Sequence, residues 1–220
     1  MESLRLKNTG IDYLMTSPQE KAFTTFLKYN EDLTKIKTNE NVEGGSTIEQ
    51  VQYFIHFIIA RPEIKLILEI GFNTGSSAAY FLSSRDDIKV ISVDIGVHRY
   101  VHDCKHIIDK HFPGRHTLII GDSKVVIPSL NKEQNRMVPD LIYIDGDHAE
   151  PTPLIDVRNC LKMAGQNTIL VMDDTNLING WNGVLQAMCT IIKNKETDFD
   201  WLFDEQYGTH AWTIFRKPRV

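Results

Sequence analysis

Leu66-Ile67-Leu68-Glu69-Ile70-Gly71-Phe72-Asn73-Thr74-Gly75-Ser76-Ser77-Ala78-Ala79-Tyr80-Phe81 decides how the rest of the sequence is read. It opens as a run of buried-strand residues and passes through two glycines. It continues with small residues and then aromatics that suit a helix. This is the pattern of a strand, a tight turn and a helix start. Glycine has no Cβ, so a ligand can approach the backbone of such a turn. The unpaired N–H groups of the helix start point toward whatever binds there.

Outward from this stretch, the chain alternates. Strands are expected at 65–70, 89–95, 117–121, 140–145 and 168–173, with helices at 76–83, 100–111, 123–130, 153–163 and 183–193. Two closely spaced strands follow, at 199–203 and 211–215. Such alternation implies a parallel sheet with helices on both faces and right-handed crossovers. The expected fold is an α/β, Rossmann-like, doubly wound seven-stranded sheet. It is mostly parallel, with one antiparallel strand in a C-terminal hairpin. Ligands of such sheets bind beyond the C-terminal ends of the strands, at the topological switch point.

Upstream, residues 1–45 read as a helical lead-in and 46–220 as the main domain. Ser17 is the expected N-cap of the first helix, with Pro18 at its first position. Glu43-Gly44-Gly45-Ser46 forms a break, and Ser46 or Thr47 caps a helix from Ile48 to Ala60.

Composition narrows the class. The 220 residues are 42% hydrophobic and 24% charged, with a formal net charge of −5. A negative balance argues against a broad nucleic-acid-binding face. The three cysteines, Cys104, Cys160 and Cys189, are widely spaced and form no Cys-x-x-Cys pair. Reduced thiols in a cytoplasmic compartment are expected. No apolar run near the N-terminus suggests a signal peptide, and none approaches the ~18 residues of a membrane span.

The polar residues gather at the expected strand ends. Glu69, Gly71, Asn73 and Gly75 lie at the first. A dinucleotide fingerprint requires Gly-x-Gly-x-x-Gly, but its second and third glycine positions are Asn73 and Ser76 here. An acid two residues before Gly71 suits a ligand with an amine or cationic group. Asp94 at the second strand end can accept both hydroxyls of a ribose. Asp122, in Gly121-Asp122-Ser123, can bond an adenine amino group, cap the following helix, or do both. Asp145-Gly146-Asp147-His148 and Asp173-Asp174 close the fourth and fifth strands. Carboxylates this close repel one another unless a counter-charge is present, and a hard divalent cation supplies one.

Together these residues resemble class I S-adenosylmethionine-dependent methyltransferases. More narrowly, they resemble the metal-dependent macrocin and novobiocin sugar O-methyltransferases, distantly similar to catechol O-methyltransferase. The resemblance implies that Glu69, Gly71, Phe72, Asn73, Gly75 and Ser76 lie at the methionine end of S-adenosylmethionine. It places Asp94 at the ribose, Asp122 on the adenine side, and Asp145 within the cofactor site. Asp145, Asp173 and Asp174 would hold Mg²⁺ or another divalent cation. Asp147 would be the general base, with His148 close by in the catalytic set. Catechol-type enzymes carry a lysine after the first metal acid and an Asp-Asn pair at the fifth strand. Gly-Asp-His and Asp-Asp stand here instead, which favours the sugar type.

The implied reaction is methyl transfer to a hydroxyl of a small-molecule or sugar acceptor, without nucleic-acid or membrane partners. Homo-oligomerisation is left open. Rival readings are an NAD-dependent oxidoreductase, which Asn73 counts against, and a methyltransferase-like binding module without catalysis. A nucleic-acid methyltransferase would carry an Asn/Asp-Pro-Pro-aromatic motif where Asp-Gly-Asp-His stands. His98, His102 and His106 recur at helical spacing among charged residues and read as a solvated face. Trp181 reads as part of a loop over the site, and Trp201 and Trp212 as core.

Overall fold

The computed structural model describes residues 15–37, 42, 45–176, 180, 182–196, 198–207 and 210–216. Among the described residues the seven α-helices are α1 (Ser17–Lys37), α2 (Ile48–Ile59), α3 (Ser76–Ser84), α4 (Tyr100–His111), α5 (Ser123–Leu130), α6 (Thr152–Met163) and α7 (Asn182–Lys193). The strands are β1 (Leu66–Ile70), β2 (Lys89–Asp94), β3 (His116–Ile120), β4 (Leu141–Ile144), β5 (Ile169–Asp173), β6 (Asp200–Tyr207) and β7 (His210–Arg216). They form one seven-stranded sheet in the order β3-β2-β1-β4-β5-β7-β6. Strands β1 to β5 pair in parallel, whereas β7 runs antiparallel to both of its neighbours. The strand order reverses between β1 and β4, so the switch point lies beside the glycine turn.

Each face of the sheet has its own apolar layer. Ile67, Val90, Tyr143 and Val171 pack with α1 to α4. Leu68, Ile70, Val93, Ile142 and Met172 pack with the residues of α5 to α7. Successive strand residues point to opposite faces, so strand parity decides where each acid at the sheet's edge goes. This rule governs the site.

The described part of the lead-in does not form a separate layer. Phe23, Phe26, Tyr29 and Leu33 of α1 are buried in the same core as Ile67 and Tyr143. The α1 start lies one residue earlier than Ser17 as cap would give. Thr16 N–H donates to Gln19 Oε1 at 2.7 Å, the return half of a capping box, while Ser17 is already helical. Thr47 is the α2 cap, its Oγ1 accepting from Gln50 N at 3.2 Å.

Trp212 is fully buried. Trp181 and the Trp201 side chain lie outside the described residues, as do residues 1–14 and 217–220. Cys104, Cys160 and Cys189 are free thiols. Among the described residues, no helix is long and apolar enough to cross a membrane.

Candidate active site

A cavity of about 720 Å³ opens at the C-terminal ends of the parallel strands. It runs from the loops after β2 and β3, past the glycine turn, to the acids after β4 and β5. One cleft therefore joins all five groups of strand-end residues.

The glycine turn is shaped by close approach. Gly71 has φ +92°, and a Cβ there would sit 1.9 Å from the Asp145 carbonyl oxygen. Gly75 has φ +74°, and its Cβ would meet the Phe72 ring at 2.7 Å. Both positions require glycine on two grounds, the left-handed backbone and the lack of space. Asn73 also has positive φ, and its Oδ1 accepts from Tyr100 Oη at 2.7 Å. From α1, Tyr29 Oη donates to the Thr74 carbonyl at 2.5 Å. The lead-in helix thus holds the turn directly. Gly71, Phe72, Asn73 and Ser76 border the cavity, and Gly75 does not. Phe72 is 1% exposed and stacks on His116 at 5.0 Å, so it offers its backbone rather than its ring.

Glu69 departs from expectation. It is 0% exposed and does not border the cavity. Its two oxygens accept from Ser77 Oγ on α3 and Ser92 Oγ on β2. Ser92 is its cross-strand partner and also bonds His116 Nε2 at 2.9 Å. Parity is the reason: Glu69 shares the face of Ile67, which α1 to α4 cover, and cannot reach the strand end. Burial pushes its pKa up to about 8, against the pull of the two serine hydroxyls and with help from Asp145 and Asp94. Glu69 supports the turn from beneath instead of lining the methionine end.

Asp94 borders the cavity and does more than the ribose role needs. Its Oδ2 accepts from Phe72 N at 2.9 Å and Asn73 N at 2.8 Å, and its Oδ1 from Gly96 N at 2.7 Å. A carboxylate has about four acceptor sites, so three are committed to holding the turn. Asp122 caps α5 by accepting from Lys124 N at 2.9 Å, and Lys124 Nζ lies 3.3 Å away.

At the other end, Asp145, His148 and Asp174 converge. Each offers a ligand atom within 4.8 Å of the others, the arrangement that can hold a cation. His148 Nε2 is 3.5 Å from Asp145 Oδ1 and 3.2 Å from Asp174 Oδ2. Asp173 is not in this group. It shares the face of Val171 and turns toward α2, where Gln50 Nε2 donates to its Oδ2 at 2.8 Å together with Tyr143 Oη. The Asp174 N–H occupies its Oδ1 at 2.9 Å. Asp174 has φ 55°, which swings its carboxylate away from that of its neighbour. Of the expected trio, Asp145 and Asp174 converge with His148, whereas Asp173 lies apart from them, bonded to Gln50 and Tyr143. Among the described residues, His98, His102 and His106 form no such group.

Electrostatics follow this geometry. Burial raises the Asp173 pKa well above the carboxylate range, and the charges of Asp145 and Asp174 add to the rise. Burial also raises Asp145, opposed by the His148 bond. For His148, burial opposes the charged form, but the Asp145 bond and the charges of Asp145, Asp174 and Asp173 outweigh it, and its pKa rises. Asp147 is exposed, and the Ala149 N–H it accepts at 3.0 Å lowers its pKa. A carboxylate made less basic in this way is a weak general base.

Gln50, Tyr143 and His210 were not singled out by sequence reasoning. Gln50 had a signal: it is a lone amide on the buried face of an apolar helix. Tyr143 sits within a strand that reads as plain core. His210 borders the cavity only because β7 inserts beside β5.

Residues 68–175 match the model of a family described as a methyltransferase domain. No curated protein matches the sequence. The structure resembles an O-methyltransferase from Bacillus cereus in complex with SAH, with a TM-score of 0.72 and 14% identity, covering 88% of this chain and 91% of that one. It also resembles the O-methyltransferase TomG from Streptomyces achromogenes, involved in tomaymycin synthesis and in complex with SAM. There the TM-score is 0.64 and identity 16%, over 93% of this chain and 91% of that one. CalS11, a TDP-rhamnose 3'-O-methyltransferase of calicheamicin biosynthesis, aligns with a TM-score of 0.56 and 17% identity, over 91% and 96% of the two chains. The matched segment runs from inside β1 through β5 and carries the turn and both acid groups. That segment is similar to methyltransferase domains, and the chain built around it shares the fold of these O-methyltransferase structures.

Proposed function

We propose that this protein transfers the methyl group of S-adenosylmethionine to a hydroxyl of a small acceptor, with a divalent cation held by Asp145, His148 and Asp174. The carrying observation is that one cavity joins the glycine turn to this acid–imidazole cluster. The similar structures in complex with SAH or SAM are O-methyltransferases, which supports the same reading. Those cofactors suit a turn with Asn73 where a dinucleotide fingerprint has its second glycine.

The donor set fits a cation. Two carboxylates supply hard oxygen ligands, and the imidazole extends the preference from Mg²⁺ toward Mn²⁺ and other borderline ions. When bound, S-adenosylmethionine would supply the electrophilic methyl group, and the cation would make the acceptor hydroxyl easier to deprotonate. The residues do the rest. Gly71 to Ser76 receive the methionine end, with the α3 N-terminus behind them. Asp94 keeps the turn closed and has one acceptor site left for a ribose hydroxyl. Asp122 and its loop border the adenine side. Asp173, bonded by Gln50 and Tyr143, stiffens the backbone that presents Asp174.

A second reading has a specific observation behind it. His148 lies between two carboxylates that favour its protonated form. Without a cation, its neutral form would take the acceptor's proton and the two carboxylates would stabilise the imidazolium formed, a task the exposed Asp147 is poorly suited to. Calorimetry separates the readings. SAH should bind, and Mn²⁺ should then bind the SAH-loaded protein but not Asp174→Asn. Absence of SAH binding refutes methyl transfer altogether. SAH binding without Mn²⁺ binding favours His148 as base.

A further inference from the structure

We infer that Asp156 is a positioning residue for the cofactor: from behind the cavity wall it holds Ser123, and through Ser123 it fixes the loop between β3 and α5 that meets the adenine base. The inference rests on the methyl-transfer reading of this cavity and gives a role to a residue outside its wall.

Asp156 lies on the face of α6 that carries Val157, Cys160 and Met163 into the core, and it is 1% exposed. A carboxylate in such a place is costly unless it is bonded. Burial raises its pKa to about 6, opposed by the Ser123 bond and the Lys124 charge, with Asp122 and Asp147 adding to the rise. An apolar side chain would suit this packing at lower cost. What the acid gains is a hold on two loops of the cavity.

Its Oδ1 accepts from Ser123 Oγ at 2.7 Å. Its Oδ2 faces the main chain at Gly146, where a Cβ would lie 3.6 Å away. Asp122, Ser123, Lys124 and Gly146 all border the cavity, whereas Asp156 does not. The β3–α5 loop, the β4–α6 loop and α6 therefore meet at this one carboxylate. On the cavity side, Asp122 Oδ1 accepts from Lys124 N at 2.9 Å and lies 3.3 Å from Lys124 Nζ. Oδ2 is then the oxygen that can accept from a base amino group. Asp122 adjoins Ser123 in the chain, so the direction of that oxygen follows the placement of Ser123. Without the Asp156 bond, α5 keeps its cap and loses this tether to α6.

The test compares SAH with S-inosylhomocysteine, which presents a carbonyl oxygen where adenine presents an amino group. Calorimetry on the wild type should give SAH an advantage of about tenfold or more, as expected for a hydrogen bond to a charged group. Asp156→Leu keeps a branched side chain and removes the acceptor. The SAH advantage should then fall by about fivefold, chiefly through weaker SAH binding, because the analogue has no amino group to offer Asp122. Asp156→Asn keeps an oxygen for Ser123 and should retain the advantage within about twofold. A role confined to packing would weaken both ligands alike and leave the ratio unmoved. Ser123→Ala removes the same bond without touching the α6 core and should lower the ratio even if Asp156→Leu fails to fold. An unchanged ratio in either of these variants overturns the inference, as does a wild type that binds both ligands equally or an Asp156→Asn variant that behaves like Asp156→Leu. SAH binding to the wild type is measured first. Its absence removes the methyl-transfer reading itself, whereas SAH binding with an unmoved ratio removes only the role of Asp156.

Discussion

Replacing Glu69 with glutamine should stabilise the protein, and the gain should grow with pH. The carboxyl lies under the glycine turn with no exposure, bonded by Ser77 and Ser92. Burial raises its pKa from 4.5 to about 8. In the unfolded chain the group ionises near its ordinary value. Between these two pH values the unfolded state has lost the proton that the folded state keeps. Stability therefore falls as pH rises through this window and levels off above it. The window is roughly 3.5 pH units wide, and each unit is worth ~1.36 kcal/mol, so the full cost approaches ~5 kcal/mol. At pH 7 about 3 kcal/mol of it has been incurred. Glutamine keeps an acceptor and a donor for the two serines and carries no charge, so it escapes the penalty.

The assay is urea unfolding of the wild type and Glu69→Gln at half-unit steps from pH 4 to 9. Only the difference curve matters, because His116 titrates too: burial lowers its pKa to about 3, and it destabilises the fold on the acid side instead. That contribution is common to both proteins and cancels. The difference should be flat below pH 4.5, rise by ~1.4 kcal/mol per unit, and flatten above pH 8. At pH 7 the variant should melt roughly 10 °C higher, given ~2–4 °C per kcal/mol for a chain of this size. A flat difference curve, or one that falls with pH, would mean that Glu69 is ionised in the folded protein and that its burial has been misjudged.

Other outcomes follow from the same contacts. Tyr29→Phe removes the bond to the Thr74 carbonyl and should weaken SAH binding about fivefold, from the ~1 kcal/mol of one hydrogen bond, with a smaller change in melting temperature. Gly71→Ala places a methyl 1.9 Å from the Asp145 carbonyl oxygen; calorimetry should find SAH binding abolished and the fold weakened by several kcal/mol, on the order of other overpacked backbone sites. Asp94→Ala leaves the Phe72 and Asn73 N–H groups without their acceptor, and SAH affinity should fall by ~10-fold or more, since bonds to a charged group are worth ~1.5–3 kcal/mol. Gln50→Leu strips a donor from buried Asp173; Mn²⁺ binding should weaken although glutamine touches no ligand atom, and unchanged Mn²⁺ affinity would sink the link between Asp173 and Asp174.

The order of strands and helices was legible because hydrophobic period changes from two to 3.6 along the chain without interruption. The site was legible to the level of the strand ends and not beyond. Glu69 and Asp173 were read as ligand-facing acids because they precede a turn. A doubly wound sheet is covered on both faces, so Glu69, inside β1, does not reach the cavity, and Asp173, at the end of β5, borders it but has its carboxylate bonded to Gln50 and Tyr143 on the α2 side. Parity with Ile67 and Val171 carried this information, and it was available once both faces were expected to be covered. Asp174 was different. Its direction depends on a positive φ that no side chain announces. His148 stood in the quoted motif, but loop residues have no periodicity to aim them, so its place between Asp145 and Asp174 came only with the fold. His210 had no local signal, since its position follows from where β7 enters the sheet.

Backbone pairing between adjacent strands sets the position of the glycine turn relative to the Asp145 cluster. Gly71 follows β1 and Asp145 follows β4 beside it, where Asp145 N donates to the Ile70 carbonyl at 2.9 Å and Gly71 N to the Val93 carbonyl at 2.9 Å. The Gly71 Cα therefore rests against the Asp145 carbonyl, with no room for a methyl group between them. A cofactor seated on the turn and a hydroxyl held at the cluster would be registered by the ladders joining β2, β1 and β4, at the centre of the parallel part of the sheet. In-line transfer is sensitive to small misplacements, and well-oriented groups can gain ~7–11 kcal/mol. A register built from main-chain bonds gives that orientation without large side-chain rearrangement. A side chain at Gly71 would push the turn away from the Asp145 segment as well as strain the turn.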